Sequence, residues 1–275
     1  MYTYGELMDD IDYLGYNGAE IGYIGKSVWD NAIPYVHIGA KGKNQAIITG
    51  AIHARENITA LLAIRQAYRY YKEPLSVGIY FVPMVNVDGA ILLQNGAPKG
   101  ENGEFLRKIN GGDDFSLWKA NANAVDLNVN FDAGFGTGKQ NVFVAGSENF
   151  VGESPFDQPE TQALRDFTNK VKPFFTISYH ALGREVYWQY HNRHAERDRR
   201  LAQKIADHTG YMLVDGDGGS AGGYKDWCVL QGISAVTVEI ISSVHTHPIQ
   251  DAWLKEEWEQ NKDIPRVIEG LAQLL

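Results

Sequence analysis

Short apolar segments alternate along the chain with segments in which apolar residues recur every three or four positions. Runs rich in branched and aromatic side chains predict strands. These runs cover residues 33–38, 45–52, 77–85, 174–180, 185–190 and 234–240. Helical spacing is clearest in residues 56–72. Further helices are predicted at residues 159–172, 193–208, 224–230 and 253–275, the last interrupted near Pro265.

The alternation of predicted strands and helices indicates a single α/β domain that spans residues 1–275 and surrounds a mixed central sheet. No linker or internal repeat interrupts this alternation. The polar segment 94–124, rich in Gly, Asn and Asp, is predicted to be a long loop. Loops of this length inside a compact domain are more often functional than filler.

Composition and charge argue against two classes of partner. The net charge of -9 and the pI of about 5.4 disfavour nucleic acid, because phosphate binding needs a concentrated basic surface. No apolar run approaches the roughly 20 residues of a membrane span.

Residues 1–14 lack the basic start and apolar stretch of a signal peptide, so we expect a soluble, cytoplasmic protein. Cys228 is the single cysteine, which excludes an internal disulfide and is expected to be buried.

Three segments place a metal-binding or proton-handling side chain at the end of a predicted strand. His53 and Glu56 follow the second strand, His180 ends the fourth, and Glu239 lies in the last. Ligand clefts of open α/β sheets form at strand ends, so these side chains can converge. Two histidines and one carboxylate are a common catalytic zinc set that leaves a position for water. The pattern predicts His53, Glu56 and His180 as ligands of one zinc ion and Glu239 as the general base.

Each of these features also has a simpler structural explanation. His53 and Glu56 could mark a helix N-terminus, where the helix dipole favours an acid. His180 could be a hydrogen-bonded core histidine. Glu239 is harder to explain in this way, because burying an unpaired carboxylate costs several kcal/mol.

The same segments resemble the zinc metallocarboxypeptidase family that includes pancreatic carboxypeptidase A. HARENIT at residues 53–59 resembles the zinc-ligand signature, and VDLNVNFDAGFG at residues 125–136 resembles the substrate-binding segment. SYH, ending at His180, and TVEI, around Glu239, resemble the strands that carry the third ligand and the catalytic glutamate. The resemblance implies a three-layer α/β/α domain with a mixed, twisted sheet and one catalytic zinc.

The resemblance gives roles to further residues by position. Arg55 would contact substrate, and Asn128 would bind the terminal carboxylate of a peptide. Lys119, next to Trp118, stands where the family has an arginine that stabilises the oxyanion; lysine keeps the charge without the planar fork. Val129 is a departure, because the family has an arginine there that clamps the C-terminal carboxylate. Valine cannot bind a carboxylate, which argues against a simple C-terminal exopeptidase.

A bacterial branch of this family that cleaves peptidoglycan peptides matches better. Its motifs resemble WKANANAVDLN, SPFDQPET, SYHALGREVYW and GGYKDW of this chain. Those enzymes hydrolyse the γ-D-glutamyl to meso-diaminopimelate bond and tend to lack the clamp arginine. Diaminopimelate carries an extra zwitterionic centre, and the residues predicted to bind it are Arg184, Tyr187, Tyr224 and Lys225. The resemblance also implies a mobile tyrosine, which the Gly-rich run 216–223 would allow at Tyr224.

The function predicted from these observations is a zinc-dependent metallopeptidase, a hydrolase that acts on small peptides or muropeptides. Alternatives that keep the metal are a carboxypeptidase of ordinary peptides and a deacylase of the aspartoacylase kind. A peptide-binding module without catalysis is a third alternative, opposed by the complete ligand set. His245 and His247 are interpreted either as a second metal motif or as pocket lining. The sequence leaves the oligomeric state open.

Overall fold

The computed structural model of the chain describes residues 1–42, 44–216 and 219–274. The segment between the first two predicted strands, the Gly-rich run and the predicted C-terminal helix each include positions outside the described residues, namely Lys43, Asp217, Gly218 and Leu275. Within the described ranges, no helix combines the length and apolar character needed to cross a lipid bilayer.

A mixed sheet forms the centre of the molecule, with eight strands in the described ranges. The strands are Glu20–Lys26 (β1), Ala32–Gly39 (β2), Gln45–Thr49 (β3), Gly78–Val82 (β4), Phe175–Ala181 (β5), Glu185–Tyr187 (β6), Met212–Val214 (β7) and Ser234–Ile240 (β8). Their order across the sheet is β1-β2-β4-β3-β5-β8-β6-β7. The neighbours β4, β3, β5 and β8 are parallel, and the antiparallel pairs β1–β2, β2–β4 and β6–β8 flank them.

Helices cover both faces of this sheet. They are Tyr4–Tyr16 (α1), Asn57–Tyr70 (α2), Val87–Asn95 (α3), Glu101–Asn110 (α4), Pro159–Val171 (α5), Ala195–Thr209 (α6), Tyr224–Leu230 (α7), Leu254–Asn261 (α8) and Ile264–Leu271 (α9). On one face, Gln66 of α2 donates a hydrogen bond to the hydroxyl of Tyr179 in β5 at 2.9 Å. On the other face, α7 packs against β5 and β8. The predicted α/β class is confirmed, and the layers are those that the resemblance implied.

The central parallel strands form the rigid base of the molecule. Every residue of β3 and of β5 is buried, as expected for parallel strands covered on both faces. Ile48, Ile177 and Val236 lie side by side across three strands and are almost fully buried. Since these strands are parallel, their C-terminal ends meet at one edge of the sheet, where the chemically important side chains follow.

Most predicted elements are present, with boundaries that differ by a few residues. The strand predicted at residues 45–52 ends at Thr49, because the chain turns away from the sheet there and Ala51 has a φ of 42°. The predicted C-terminal helix is divided into α8 and α9, with Pro265 in the first turn of α9.

Five elements lie where the sequence pattern predicts none, namely α1, β1, α3, α4 and β7. The prediction of an unbroken loop at residues 94–124 is wrong, since α4 lies within it. This helix is mostly polar and buries Gly103 and Leu106, so its apolar pattern is too weak to recognise. α1 does carry a sequence signal, because Thr3 and Glu6 form a capping box at its start.

Candidate metal centre and substrate cleft

His53 and Glu56 are placed by the turn between β3 and α2. The chain leaves the sheet and forms a 3₁₀ turn, Ala54–Glu56, that leads into α2. The hydroxyl of Thr59 fixes this turn, since it donates to the carbonyl of Glu56 and accepts from the N–H of Ala51, both at 2.7 Å. The two side chains touch, with Nδ1 of His53 2.8 Å from Oε1 of Glu56.

His180, at the C-terminal end of β5, completes a group of three buried donors with His53 and Glu56, which we call the ligand cluster. Its Nδ1 lies 3.2 Å from Nδ1 of His53 and 3.3 Å from Oε2 of Glu56. Tetrahedral ligands at about 2.0–2.1 Å from a zinc ion lie roughly 3.3 Å apart. The cluster therefore has both the chemistry and the spacing of a zinc site, and the three predicted ligands fit that metal.

Asp126 lies behind the ligand cluster, beside the second nitrogen of His53. Its Oδ1 is 3.3 Å from Nε2 of His53, and its Oδ2 is 2.8 Å from Nζ of Lys119. Burial by itself raises the pKa of Asp126, but the positive charges of Lys119 and His53 outweigh burial and hold this pKa well below its usual range. A carboxylate in this position orients a metal-binding imidazole and increases its basicity.

Glu239 lies on β8 directly beside His180 of β5, because the two strands are parallel and in register at this pair. Withdrawal from water raises the pKa of Glu239 to about 8. The positive charge of His180 opposes this shift, and the negative charge of Glu56 adds to it. A carboxyl group so tuned, next to a metal-type cluster, is suited to proton transfer near neutral pH.

A cleft opens beside the ligand cluster. Its main part has a volume of about 310 Å³ and is lined by His180 and Glu239, among others. A second part of about 220 Å³, which we call the Val129 arm, extends past Val129. Four residues line both parts, so that the two are continuous: His53, Asn128, Gln140 and Ser220.

Of the two cations predicted to act on the substrate, Lys119 lines the Val129 arm. Its ammonium group lies 3.4 Å from Oδ1 of Asn149 in addition to its contact with Asp126. Arg55 is not among the residues that line the cleft. Its Nη1 is 3.1 Å from Oε2 of Glu148 and donates to the carbonyl of Leu117 at 3.2 Å.

Two of the four residues predicted to bind the diamino acid line the main part of the cleft, Tyr187 and Lys225. The Tyr187 hydroxyl donates to Oε2 of Glu185 at 2.7 Å. The Lys225 ammonium group donates to the carbonyl of Gln189 at 2.8 Å and forms an ion pair with Asp226. Both polar heads are therefore held in place before any substrate binds.

The other two residues of that set, Tyr224 and Arg184, are not brought to the cleft. Tyr224 is 0% exposed, and its hydroxyl is hydrogen-bonded to Thr168 of α5 at 2.9 Å. A buried and bonded ring does not fit the predicted mobile tyrosine at this position. Arg184 binds Oε1 of Glu257 through Nε at 2.9 Å and Nη2 at 2.6 Å. It ties the turn after β5 to α8.

The histidine pair considered as a second metal motif does not form one. The ligand cluster is the group of three potential metal ligands found within the described ranges. His245 stacks on Trp253, with ring centres 4.1 Å apart, and lies 3.3 Å from Glu256. His247 is partly buried, and its surroundings lower its pKa, mainly by withdrawal from water.

Several residues of the site were not identified from the sequence. Asp126 stands two positions before Asn128 in a motif already recognised, so a charged residue there was a usable signal. Gln140 and Ser220 belong to loops whose composition carries no such signal. Thr237 lines the cleft beside Tyr187 because β6 and β8 are paired antiparallel, which only the sheet order reveals.

Comparisons with known proteins agree with this geometry. A family model described as zinc carboxypeptidase matches residues 7–262. The chain therefore belongs to the zinc carboxypeptidase family, and the prediction of a zinc metallopeptidase of this family is confirmed.

One sequence relative and two solved structures show the range of similarity. The gamma-D-glutamyl-L-diamino acid endopeptidase 1 of Lysinibacillus sphaericus is 30% identical over 271 residues, which cover 91% of this chain and 68% of that protein. The match to the crystal structure of a murein-tripeptide amidase from Escherichia coli O157 covers 92% of this chain and 90% of the amidase chain, with a TM-score of 0.62 and 22% identity. The match to the structure of bovine thrombin-activatable fibrinolysis inhibitor covers 100% of this chain and 98% of the inhibitor chain, with a TM-score of 0.81 and 20% identity. At such identities the two structures establish the fold alone.

Proposed function

We propose that residues 1–275 form the catalytic domain of a zinc peptidase that hydrolyses peptidoglycan-derived peptides at the γ-D-glutamyl to meso-diaminopimelate bond. The observation that carries the proposal is the convergence of the ligand cluster and Glu239 at the floor of one cleft. The relative named as a gamma-D-glutamyl-L-diamino acid endopeptidase supports this class of substrate.

His53, Glu56 and His180 would hold the metal. When bound there, zinc supplies Lewis acidity to the scissile carbonyl and to the attacking water. Asp126 holds the His53 ring in its orientation through the contact at Nε2.

Glu239 would take a proton from the attacking water at its carboxylate and then deliver this proton to the nitrogen of the leaving amine. Lys119 would place positive charge near the carbonyl oxygen, where negative charge develops during attack. Because Lys119 is already paired with Asp126, we expect it to stabilise this charge less than a free cation would. Arg55, which is paired with Glu148, would contact the acyl side of the substrate.

Tyr187, Lys225 and Asn128 would bind the diamino acid on the leaving side of the scissile bond. All three line the main part of the cleft. The ion pair of Lys225 and Asp226 offers one charge of each sign, which suits the zwitterionic end of diaminopimelate. Arg184 and Tyr224 have no place in this proposal, since their polar groups are bonded elsewhere.

The test is product analysis by mass spectrometry. Zinc-loaded wild-type protein and the Glu239→Gln variant are incubated with L-Ala-γ-D-Glu-meso-diaminopimelate, and bound zinc is measured in both. Release of diaminopimelate by the wild type alone would support the proposal. A wild type that binds one zinc per chain but leaves the peptide intact would refute the substrate, and ordinary C-terminal peptides and N-acyl amino acids would then be assayed.

We also propose the cytoplasm as the place of action, as expected from the sequence. The buried, unpaired thiol of Cys228 is compatible with a reducing compartment. Fractionation of the producing cells, with enzyme activity assayed in each fraction, tests this location; activity confined to the wall or medium would contradict it.

A further inference from the structure

The Val129 arm of the cleft has an unusual charge for this protein. Its lining includes Lys119 and Lys139, and no Asp or Glu lines it among the residues that the structure describes. The chain as a whole carries a net charge of -9. An arm lined by lysines and by no described acid, in an acidic protein, favours an anionic group of a ligand.

Lys139 is held at this arm by the loop that carries it. Its backbone N–H donates to the carbonyl of Gly219 at 3.0 Å. The side chain lies across Gly219, where an added Cβ would be 2.8 Å from Cδ and 3.1 Å from Nζ of Lys139. Gly219 also has a φ of 73°, which side-chain-bearing residues rarely adopt. The glycine thus leaves the space through which Lys139 extends along the arm.

The ammonium group of Lys139 is available to a ligand. In the part of the chain that the structure describes, no carboxylate forms an ion pair with it, whereas Lys119 is paired with Asp126 and Lys225 with Asp226. Among the three lysines that line the cleft, Lys139 is therefore the one whose charge is not compensated by a carboxylate of the described residues.

Asn128 provides a second donor in the same arm. Its Oδ1 accepts a hydrogen bond from the backbone N–H of Tyr224 at 3.2 Å. This bond assigns the oxygen of the amide and leaves its NH₂ group to donate. Asn128 and Lys139 both line the arm, as does Val129.

We infer that Lys139, together with Asn128, forms a carboxylate site that takes the place of the clamp arginine absent at Val129. The inference rests on the proposed function, and the ligand is the free α-carboxylate of the residue on the leaving side of the scissile bond. The cation comes from a different loop of the chain than the missing arginine would. Lysine binds as a point charge, so the site recognises the charge of a carboxylate with less control of its orientation.

A comparison of carboxylate and carboxamide substrates tests this site. The substrates are L-Ala-γ-D-Glu-L-lysine and the same peptide with its terminal carboxylate converted to a carboxamide. For Lys139→Met we expect kcat/KM to fall roughly 10- to 100-fold on the carboxylate and less than about threefold on the carboxamide, as for loss of one charged hydrogen bond. Lys139→Arg should keep most of the activity, and Lys99→Met, at an exposed lysine outside the cleft, should match the wild type. Equal losses on both substrates would overturn the inference.

A binding experiment separates this inference from the proposed function. Calorimetric titration of the zinc-loaded wild type with Nα-acetyl-L-lysine and with its carboxamide requires no cleavage. We expect the carboxylate to bind about tenfold more tightly, and Lys139→Met, but not Lys139→Arg, to abolish this preference. A wild type without the preference, or a Lys139→Met variant that keeps it, would refute the site even if the peptide is cleaved. A preference that depends on Lys139 in a protein that cleaves no muropeptide would support the site and refute the substrate.

Discussion

The ligand cluster and the Val129 arm are adjacent parts of one cleft, but they are built differently. His180 and Glu239 lie on paired parallel strands, and His53 and Glu56 lie on the turn that directly follows a third strand. Lys139 and Gly219 belong to loops that are joined by a backbone hydrogen bond. Strand ends have fixed relative positions because the sheet is buried on both faces, whereas loops can change composition without disturbing the core. We therefore expect substitutions in the ligand cluster to change the chemistry and substitutions in the Val129 arm to change substrate binding.

The largest expected effect separates chemistry from metal binding. Glu239→Gln removes the proton acceptor but leaves the ligand cluster intact, so we expect kcat to fall about 10²- to 10⁴-fold with unchanged zinc content. Steady-state kinetics and metal analysis on the same preparation measure both. Glu101→Gln, at an exposed helix terminus, serves as the control. A variant that lost zinc in proportion to activity would show that Glu239 acts on the metal site instead.

A second prediction concerns stability away from the cleft. Burial raises the pKa of Glu160 to about 7, although Asn121 and the N–H of Val28 donate hydrogen bonds to it. The folded chain therefore binds the carboxyl proton of Glu160 more tightly than the unfolded chain does. The resulting contribution to the free energy of unfolding is complete below about pH 4.5 and is lost as the pH rises to about 7. Glu160→Gln should remove this dependence of stability on pH. The free energy of unfolding of the variant minus that of the wild type should therefore increase by about 3 kcal/mol between pH 4.5 and pH 8.

Denaturant unfolding of both proteins at the two pH values measures this change. Glu153→Gln, at an exposed acid near the same helix, is the control. An unchanged difference between variant and wild type at the two pH values would contradict the raised pKa. Zinc content should be equal in all samples, since Glu160 does not belong to the ligand cluster.

Asp126 connects the two regions, since it contacts both His53 and Lys119. Asp126→Asn keeps the shape of the side chain but loses its charge, so we expect zinc affinity to fall about 10- to 100-fold. Competition with a chelator of known affinity measures the loss. Lys119→Met separates the two contacts, because it should lower the rate of cleavage with little effect on zinc affinity. If Asp126→Asn bound zinc as tightly as Lys119→Met and the wild type do, Asp126 would have no role in orienting His53.

The smallest effect is expected at Tyr187, which lies on β6 and lines the main part of the cleft. Its hydroxyl is already bonded to Glu185, so Tyr187→Phe should lower kcat/KM by only about three- to tenfold and leave zinc affinity unchanged. Tyr16→Phe, at a tyrosine that is 93% exposed, provides the matched control. A loss of activity comparable to that of Glu239→Gln would show that Tyr187 takes part in the chemical step and not only in substrate binding.

The structure brings the three predicted metal ligands and Glu239 together, whereas some residues predicted to bind substrate lie elsewhere. His53 and Glu56 share one turn and are three residues apart, so local geometry alone brings them together. His180 and Glu239 could be assigned because each ends or lies within a strand of strong apolar character. Arg184 and Tyr224 were assigned by motif position, and the structure shows their polar groups bonded to Glu257 and Thr168 instead. Motif position does not reveal which face of an element a side chain occupies.

The helices and strands that the sequence did not predict also depend on contacts between distant parts of the chain. α4 is a mostly polar helix on the surface, and its apolar periodicity is too weak to distinguish it from a loop. β7 has three residues and is recognised as a strand only because it pairs with β6. Such short or polar elements are stabilised by neighbours that are distant in sequence, so no local pattern identifies them.

The sequence by itself determined the α/β class, the metal-ligand types and the loss of the clamp arginine at Val129, because each depends on residue identity or local spacing. The tertiary structure alone decided which side chains share the cleft. Lys139 and Asn128 are 11 positions apart, and Gly219 lies far beyond both, yet they line one arm of it. Contacts of this kind arise from the order of the strands and the packing of loops between them. Neither is encoded in a local pattern, since both depend on the free energy of the whole fold.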